Sequence, residues 1–257
     1  MATKKLFDLT GKVAVITGAS SGLGVQMAKA YAKLGANIAI MARRKEKLEA
    51  VATEIRALGV KCLPVPCDVT DTNAIIEAVE TIEKEYGKVD IVVNNAGTGY
   101  VGPAVEMKDE DWNWNVELDL NSVFKVSREF AKGMIKNNYG RIINISSMYG
   151  LVGNMALPSA GYHAAKGGVL NLTRALAAEW APNGITVNCI CPGYFETELT
   201  ADTLKTDSFS EYMKATVPLG RYGNEGELDS TAVYLASEAS SYVTGVIIPV
   251  DGGYTCI

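Results

Sequence analysis

The chain has 257 residues, 48% of them hydrophobic and 21% charged, with 24 Lys plus Arg against 29 Asp plus Glu for a formal net charge of −5. That balance builds a sizeable core, and its acidity without a basic block excludes a general attraction for nucleic acid or an anionic membrane. No apolar run approaches the roughly 18 residues that span a bilayer, and the polar start MATKKLFDLTGK lacks the apolar stretch of a signal peptide, so a cytoplasmic protein is expected.

Lys12–Ile16 is a β-branched run that meets Gly18, and helical periodicity follows over 22–34 until Gly35 stops it. Asn37–Met41 reads as a second strand, 44–58 as an amphipathic helix closed by Gly59, and Lys61–Pro66 as a third strand. Asp71 is placed to cap a helix over 72–86, which Gly87 closes. Val89–Val93 is a fourth strand. A long helix is predicted over 111–136, a fifth strand over Arg141–Ile145, a helix over 160–181 and a sixth strand over Thr186–Ile190. Residues 194–223 read as a long connection with a helix inside it, before a helix over 225–238 and a last strand, Val246–Val250. Strands and helices that alternate in this way build a parallel sheet covered on both faces, here a doubly wound α/β sheet of seven strands in one domain, 1–257.

The five cysteines, Cys62, Cys67, Cys189, Cys191 and Cys256, are an odd number in a long chain and argue against a disulfide framework. Cys189 and Cys191 share a face of the sixth strand, but with a single His in the chain buried thiols are a better reading than a metal site, and no metal is expected.

Strand one runs straight into Thr17-Gly18-Ala19-Ser20-Ser21-Gly22-Leu23-Gly24. Glycines at a strand–helix turn allow the tight bend, the close approach of backbone to a pyrophosphate, and close packing of helix on strand. The helix then offers its N–H groups and the positive end of its dipole to the phosphates. A plain connection can look the same; the place of this one after the first strand favours the dinucleotide. At the tip of strand two an acid would bind a ribose 2′-OH and an Arg a 2′-phosphate. The chain has Arg43-Arg44 there, and Arg43 can fork onto a phosphate, which favours NADP(H) over NAD(H). Two cations that only begin a solvated helix would oppose its dipole.

Tyr162-x-x-x-Lys166 places a phenol and an ammonium one turn apart on one helix face. Hydride transfer to a ketone leaves an alkoxide that needs a proton, and a cation beside a phenol brings its pKa down from about 10. Strand five ends in Ser146-Ser147 at the carboxyl edge of the sheet, where open α/β sheets bind ligands. His163 points about 100° away from Tyr162 on the helix and reads as a surface or interface side chain.

The turn TGxxxGxG, Asn94-Asn95-Ala96-Gly97, Ser147 with Tyr162 and Lys166, Pro192-Gly193 and Val250-Asp251-Gly252-Gly253 stand in order between about residue 10 and residue 253, and together they resemble the classical short-chain dehydrogenase/reductase family. The resemblance implies a Rossmann-type fold, nicotinamide-dependent interconversion of a secondary alcohol and a ketone, and a homotetramer. It implies that Gly18, Ser20, Ser21, Gly22, Leu23 and Gly24 cradle the cofactor, that Asp68 and Val69 flank its adenine, and that Asn95, Ala96 and Gly97 line it. Pro192, Gly193 and Thr197 then face the nicotinamide end. Ser147 holds the substrate oxygen, Tyr162 is the acid, Lys166 lowers its pKa and reaches the ribose, and Asn121 in LDLNSVF is the Asn that holds a water next to the Lys.

The substrate pocket is expected at Gly97–Val101, Met148–Tyr149, Leu157–Pro158, Tyr194–Phe195 and 198–215, with 194–223 as the substrate loop. LFDLTGKVAVITGAS, IINISSM, AAKGGVLNLTRALAAEW and PGYFETEL are most similar to family members of the gluconate 5-dehydrogenase type and related sugar-acid or polyol ketoreductases. A hydroxysteroid or an acyl-thioester ketone is the alternative, since cations that would meet a sugar acid are few. A non-enzymatic NADP(H) sensor would have lost the Tyr or the Lys.

Overall fold

The computed structural model describes residues 6–155, 157–197, 204 and 206–257. Seven strands form one sheet: β1 (Val13–Thr17), β2 (Asn37–Ala42), β3 (Cys62–Pro66), β4 (Ile91–Asn94), β5 (Gly140–Ile145), β6 (Ile185–Pro192) and β7 (Ile247–Val250). Their order is β3-β2-β1-β4-β5-β6-β7, and every neighbouring pair is parallel. The chain winds outward from β1 through β2 to β3, then returns to lay β4 on the other side of β1. Ligands of open α/β sheets bind outside the carboxyl ends of strands at such a reversal.

The apolar runs of the strands supply two cores, because side chains alternate across the sheet. Ala14, Ile16, Ile38, Ile40, Val93 and Ile143 pack under α1 (Gly22–Lys33), α2 (Lys45–Arg56) and the later α8 (Asp229–Ala236). Val13, Val15, Met41, Val92, Ile142 and Val187 pack on the other face under α3 (Thr72–Tyr86), α5 (Ser122–Asn137) and α6 (Ala160–Trp180). Pro64 in β3 is tolerated because β3 lies at the sheet edge, where a missing N–H breaks no ladder. No helix among the described residues is long and apolar enough to cross a membrane.

The helix stops behave as the sequence predicts. Asp71 accepts from the N–H groups of Asn73 (2.8 Å) and Ala74 (3.4 Å), and Gly87 ends α3 at φ 79°. The long helix expected over 111–136 is a different matter. It is split into α4 (Asp109–Val116), a π turn over Glu117–Asn121, and α5. One extra residue in a turn shifts the phase of the helix by about 100°, so different side chains face α6 than a regular helix would present. The connection after β6 carries α7 (Asp207–Thr216), and α8 is shorter at both ends than the predicted 225–238.

A buried polar ladder ties the sheet to the helices beneath it. Asn94 Nδ2 donates to Asn144 Oδ1 and to Ser127 Oγ, each at 2.8 Å, and Asn144 Nδ2 donates to Thr173 Oγ1 at 2.9 Å. Asn94 and Asn144 are register partners on β4 and β5, and Asn144 has no exposed surface. A buried amide is tolerated only when its bonds are made. Asn144→Ala leaves one Asn94 amide N–H without its acceptor and the Thr173 hydroxyl with only its bond to the Val169 carbonyl, and is expected to cost about 2–4 kcal/mol. Guanidinium denaturation should show this as a lower midpoint at unchanged slope.

Candidate active site

β1 delivers Thr17 to the reversal between β1 and β4. Its Oγ1 accepts from the backbone N–H groups of Asn95 and Ala96, both at 3.0 Å, while Asn95 Nδ2 donates to the Thr17 carbonyl at 3.0 Å. This staple holds the loop after β4 against the glycine turn. A Cβ on Gly18, whose φ is +67°, would lie 2.8 Å from Ala96 Cα, and one on Gly24 would lie 2.6 Å from Asn95 Nδ2. Two of the turn's glycines are therefore demanded by the protein's own packing as well as by any ligand. Gly22, at φ +61°, has the Thr197 side chain 3.4 Å from where its Cβ would be, so Thr197 sits beside the turn. Leu23 packs on the core below.

An open cleft of about 1200 Å³ runs over the carboxyl ends of β1, β2 and β3. Gly18, Ser20, Ser21, Arg43, Asp68, Val69, Ala96 and Gly97 all line it, as does Arg44. Ser21 begins α1 in extended conformation without bonding the helix N–H groups. Its hydroxyl and that of Ser20 instead accept from Arg44 Nη2 at 2.9 Å each. A helix start with free N–H groups, flanked by two guanidinium groups, suits a phosphate-bearing ligand. Asp68 Oδ1 accepts from the N–H (3.0 Å) and hydroxyl (2.8 Å) of Thr70, so it caps its turn. Partial burial raises the Asp68 carboxyl, but Thr70 and then Arg43 pull it below its ordinary value. The cradle thus fits a dinucleotide.

At the other end of the cleft, Ser146 and Ser147 continue past β5. Ser146 Oγ donates to the Lys166 carbonyl at 2.8 Å, and Ser147 Oγ accepts from the Tyr149 N–H at 3.1 Å. Lys166 is buried on α6. Its Nζ donates to the Ile145 carbonyl at 3.1 Å and lies 5.6 Å from the centre of the Tyr162 ring. The structure therefore brings Lys166 beside both Tyr162 and the strand end that carries Ser147. Gly99 passes over the Tyr162 ring, with its Cβ position 3.7 Å from Cδ2. Gly193 donates to the Val250 carbonyl at 2.9 Å and presses on Asp251, 2.7 Å from Cα to the position of an added Cβ. That contact docks Pro192-Gly193 on the carboxyl-terminal VDGG segment.

Asn121 is not where the sequence placed it. Its Nδ2 donates to Glu117 Oε2 at 2.7 Å, one turn back, because the π turn rotates it away from α6. The group that faces Lys166 is Asp119, with Oδ1 3.4 Å from Nζ. Asp119 Oδ1 also accepts from the Thr98 N–H at 3.0 Å. A Cβ on Gly97 would lie 2.6 Å from this oxygen and 3.1 Å from Lys166 Nζ, so a side chain there would displace one or both groups.

An aromatic cluster joins the segments that follow β5 and β6. Tyr149 and Tyr194 share a hydroxyl bond, Tyr194 donates to Tyr212 at 3.5 Å, and Tyr212 and Tyr254 lie 3.4 Å apart at their hydroxyls. Asn154 donates to the Tyr149 hydroxyl as well. Burial, above all, pushes the Tyr149 hydroxyl up to about 12, so it stays a neutral donor and acceptor. His163 is not a surface side chain. It is half-buried, stacks on Tyr149 at 4.9 Å, and its Nδ1 lies 2.8 Å from the Ser159 carbonyl. Part of the expected pocket, 198–203 and 205, lies outside the described residues.

Sequence reasoning missed Asp119, Arg44, Thr17 and the distant Tyr254, while Tyr212 falls within the expected 198–215 segment. Arg44 stands next to Arg43, and the second cation of that pair was the available signal. Thr17 opens the glycine turn. Nothing local marks Tyr254, which meets Tyr149 and Tyr194 only through the fold.

A family model described as Enoyl-(Acyl carrier protein) reductase matches residues 18–255. Gluconate 5-dehydrogenase of Gluconobacter oxydans is 38% identical over 256 residues, 99% of each chain. The 3-oxoacyl-(acyl-carrier-protein) reductase of Thermotoga maritima is 38% identical over 245 residues, 95% of this chain and 98% of its own. The crystal structure of a gluconate 5-dehydrogenase from Burkholderia cenocepacia in complex with NADP and tartrate superposes with a TM-score of 0.93 at 36% identity, covering 98% of both chains. The match along almost the whole chain and the gathered Tyr162–Lys166 site agree: the protein belongs to the short-chain dehydrogenase/reductase family and is an oxidoreductase acting on CH–OH groups.

Proposed function

We propose that this protein interconverts a secondary alcohol and a ketone with NADP(H), on a sugar acid or polyol of the gluconate 5-dehydrogenase type. The observation that carries the reading is the buried Lys166, whose ammonium lies between the Ile145 carbonyl and the Tyr162 ring at one end of a cleft that has two guanidinium groups at the other. The relative that acts on gluconate and the neighbour with NADP support it, and so do the tyrosine hydroxyls on the substrate side, which suit a polyhydroxylated ligand. The 3-oxoacyl reductase relative supports an acyl-thioester ketone as the second reading. We place the whole chain in one domain with 194–223 as its substrate loop. Trp112 and Phe124, each 41% exposed on α4 and α5, support assembly into a homotetramer.

When bound, the nicotinamide supplies and accepts the hydride. The chain's own groups do the rest. The N–H groups of α1 and the Ser20 and Ser21 hydroxyls hold the pyrophosphate, with Gly18, Gly22 and Gly24 letting it approach. Arg43 and Arg44 hold the 2′-phosphate, and Asp68 and Val69 bound the adenine. Asn95, Ala96, Gly97, Pro192, Gly193 and Thr197 line the path to the nicotinamide. Ser147 donates to the substrate oxygen, and Tyr162 delivers its phenolic proton there as charge develops. Lys166 stabilises the phenolate left behind and reaches the ribose. Oxidation runs these steps in reverse.

A panel of 5-keto-D-gluconate, neutral ketoses, oxo-steroids and a 3-oxoacyl thioester, followed by NADPH absorbance, separates the readings; rapid turnover confined to the thioester would displace the sugar substrate. Tyr162→Phe should lower turnover by at least about 100-fold while NADPH still binds, as read by fluorescence titration. Turnover within tenfold of wild type would show that another group gives the proton. Arg43→Asp should weaken NADPH by about 10–100-fold more than NADH, because a charge-assisted bond to the 2′-phosphate is exchanged for repulsion. Equal losses for the two cofactors would remove Arg43 from that role.

A further inference from the structure

Lys166 carries the charge on which the proton transfer depends, and in this chain a carboxylate stands beside it. Asp119 comes from the π turn between α4 and α5 and has no exposed surface. One oxygen, Oδ1, lies 3.4 Å from Lys166 Nζ and accepts from the Thr98 N–H at 3.0 Å. The other, Oδ2, is buried with no hydrogen-bond partner among the described residues. A carboxylate removed from water to this extent needs a counter-charge, and Lys166 is the one at hand. Gly97 packs against the pair, and a Cβ there would lie 2.6 Å from Oδ1 and 3.1 Å from Nζ, so a side chain at 97 would displace one or both. A lone ammonium near a phenol favours the phenolate; an ammonium whose field is cancelled by an adjacent carboxylate does so much less.

We propose that Asp119 is a positioning residue that pairs with Lys166 and screens its charge from Tyr162, leaving the phenol poised as a proton donor for ketone reduction. The inference rests on Tyr162 being the acid of the proposed reaction. The groups that face Lys166 are Asp119 from the π turn, Tyr162 from its own helix, and Cys189 and Cys191 from β6. Burial pushes the Cys189 thiol well up, so it stays uncharged. Burial lowers Lys166, but Asp119 and then Tyr162 more than offset that and hold it above its ordinary value. Burial raises the Asp119 carboxyl, against the pull of Lys166 and the Thr98 N–H. The sign of the effect follows: removing the Asp119 charge leaves the ammonium unopposed, and Tyr162 then ionises at lower pH.

The full-length protein without substrate or cofactor tests this, so the result does not depend on which ketone is reduced. Tyrosinate absorbance is titrated for wild type and for Asp119→Asn, each with and without Tyr162→Phe, and subtraction isolates the Tyr162 step. Asp119→Asn is expected to lower its midpoint by about one pH unit. Asn has the shape of a protonated Asp, so an unchanged midpoint, the result for a neutral or merely packing Asp119, overturns the inference. If far-ultraviolet circular dichroism shows that Asp119→Asn does not fold, the same subtraction on Lys166→Met decides. Loss of one half of a pair moves the midpoint up by less than about half a unit, because the abandoned Asp119 takes a proton. A rise of about one to three units would mean an unscreened cation and would overturn it. Lack of turnover on every ketone would count against the proposed reaction and leave this titration unaffected.

Discussion

The Thr17 staple is the constraint on which the rest of the site depends. One hydroxyl at the end of β1 takes the N–H groups of Asn95 and Ala96, and the Asn95 amide returns to the Thr17 carbonyl. The bond set joins the two strands between which the sheet reverses its order. It leaves no space for a Cβ at Gly18 or Gly24, and it sets the path of the loop that carries Gly97, Thr98 and Gly99 toward α6. The shape of the cleft over β1–β3 and the approach of this loop to Lys166 are thus consequences of one closure.

Charge is handled differently at the two ends of that cleft. At the rim, Arg43, Arg44 and Asp68 keep access to water, and their groups remain free to trade partners with a ligand. At the catalytic end Lys166 is buried, and a buried ammonium must be held by fixed acceptors. The Ile145 carbonyl, Asp119 and the neighbouring phenol serve that purpose, and the last of them is the group the charge acts upon. The π turn is the device that makes this possible, since a regular helix through 111–136 would direct other side chains at α6.

The aromatic side of the site has its own logic. Tyr149, Tyr194, Tyr212 and Tyr254 come from four separate segments, yet their hydroxyls meet in one chain of bonds. Rings packed edge to face, with His163 stacked behind Tyr149, give a stiff wall with polar tips.

The sequence alone determined the alternation of strands and helices, the parallel sheet, the glycine turn after β1 and the Tyr162–Lys166 pair. Each of these is a local matter: apolar periodicity, a glycine that must bend, a cap such as Asp71, or two side chains one helical turn apart. Tertiary structure decided what local pattern cannot carry. Asn121 and Asp119 both lie in a polar stretch of one predicted helix, and only the π turn says which of them meets Lys166. His163 was read from its angle on α6, but its burial comes from Tyr149 on another segment. The partners of Tyr194 lie 18 and 45 residues away for Tyr212 and Tyr149, and no periodicity reports a contact made by the winding of the whole sheet.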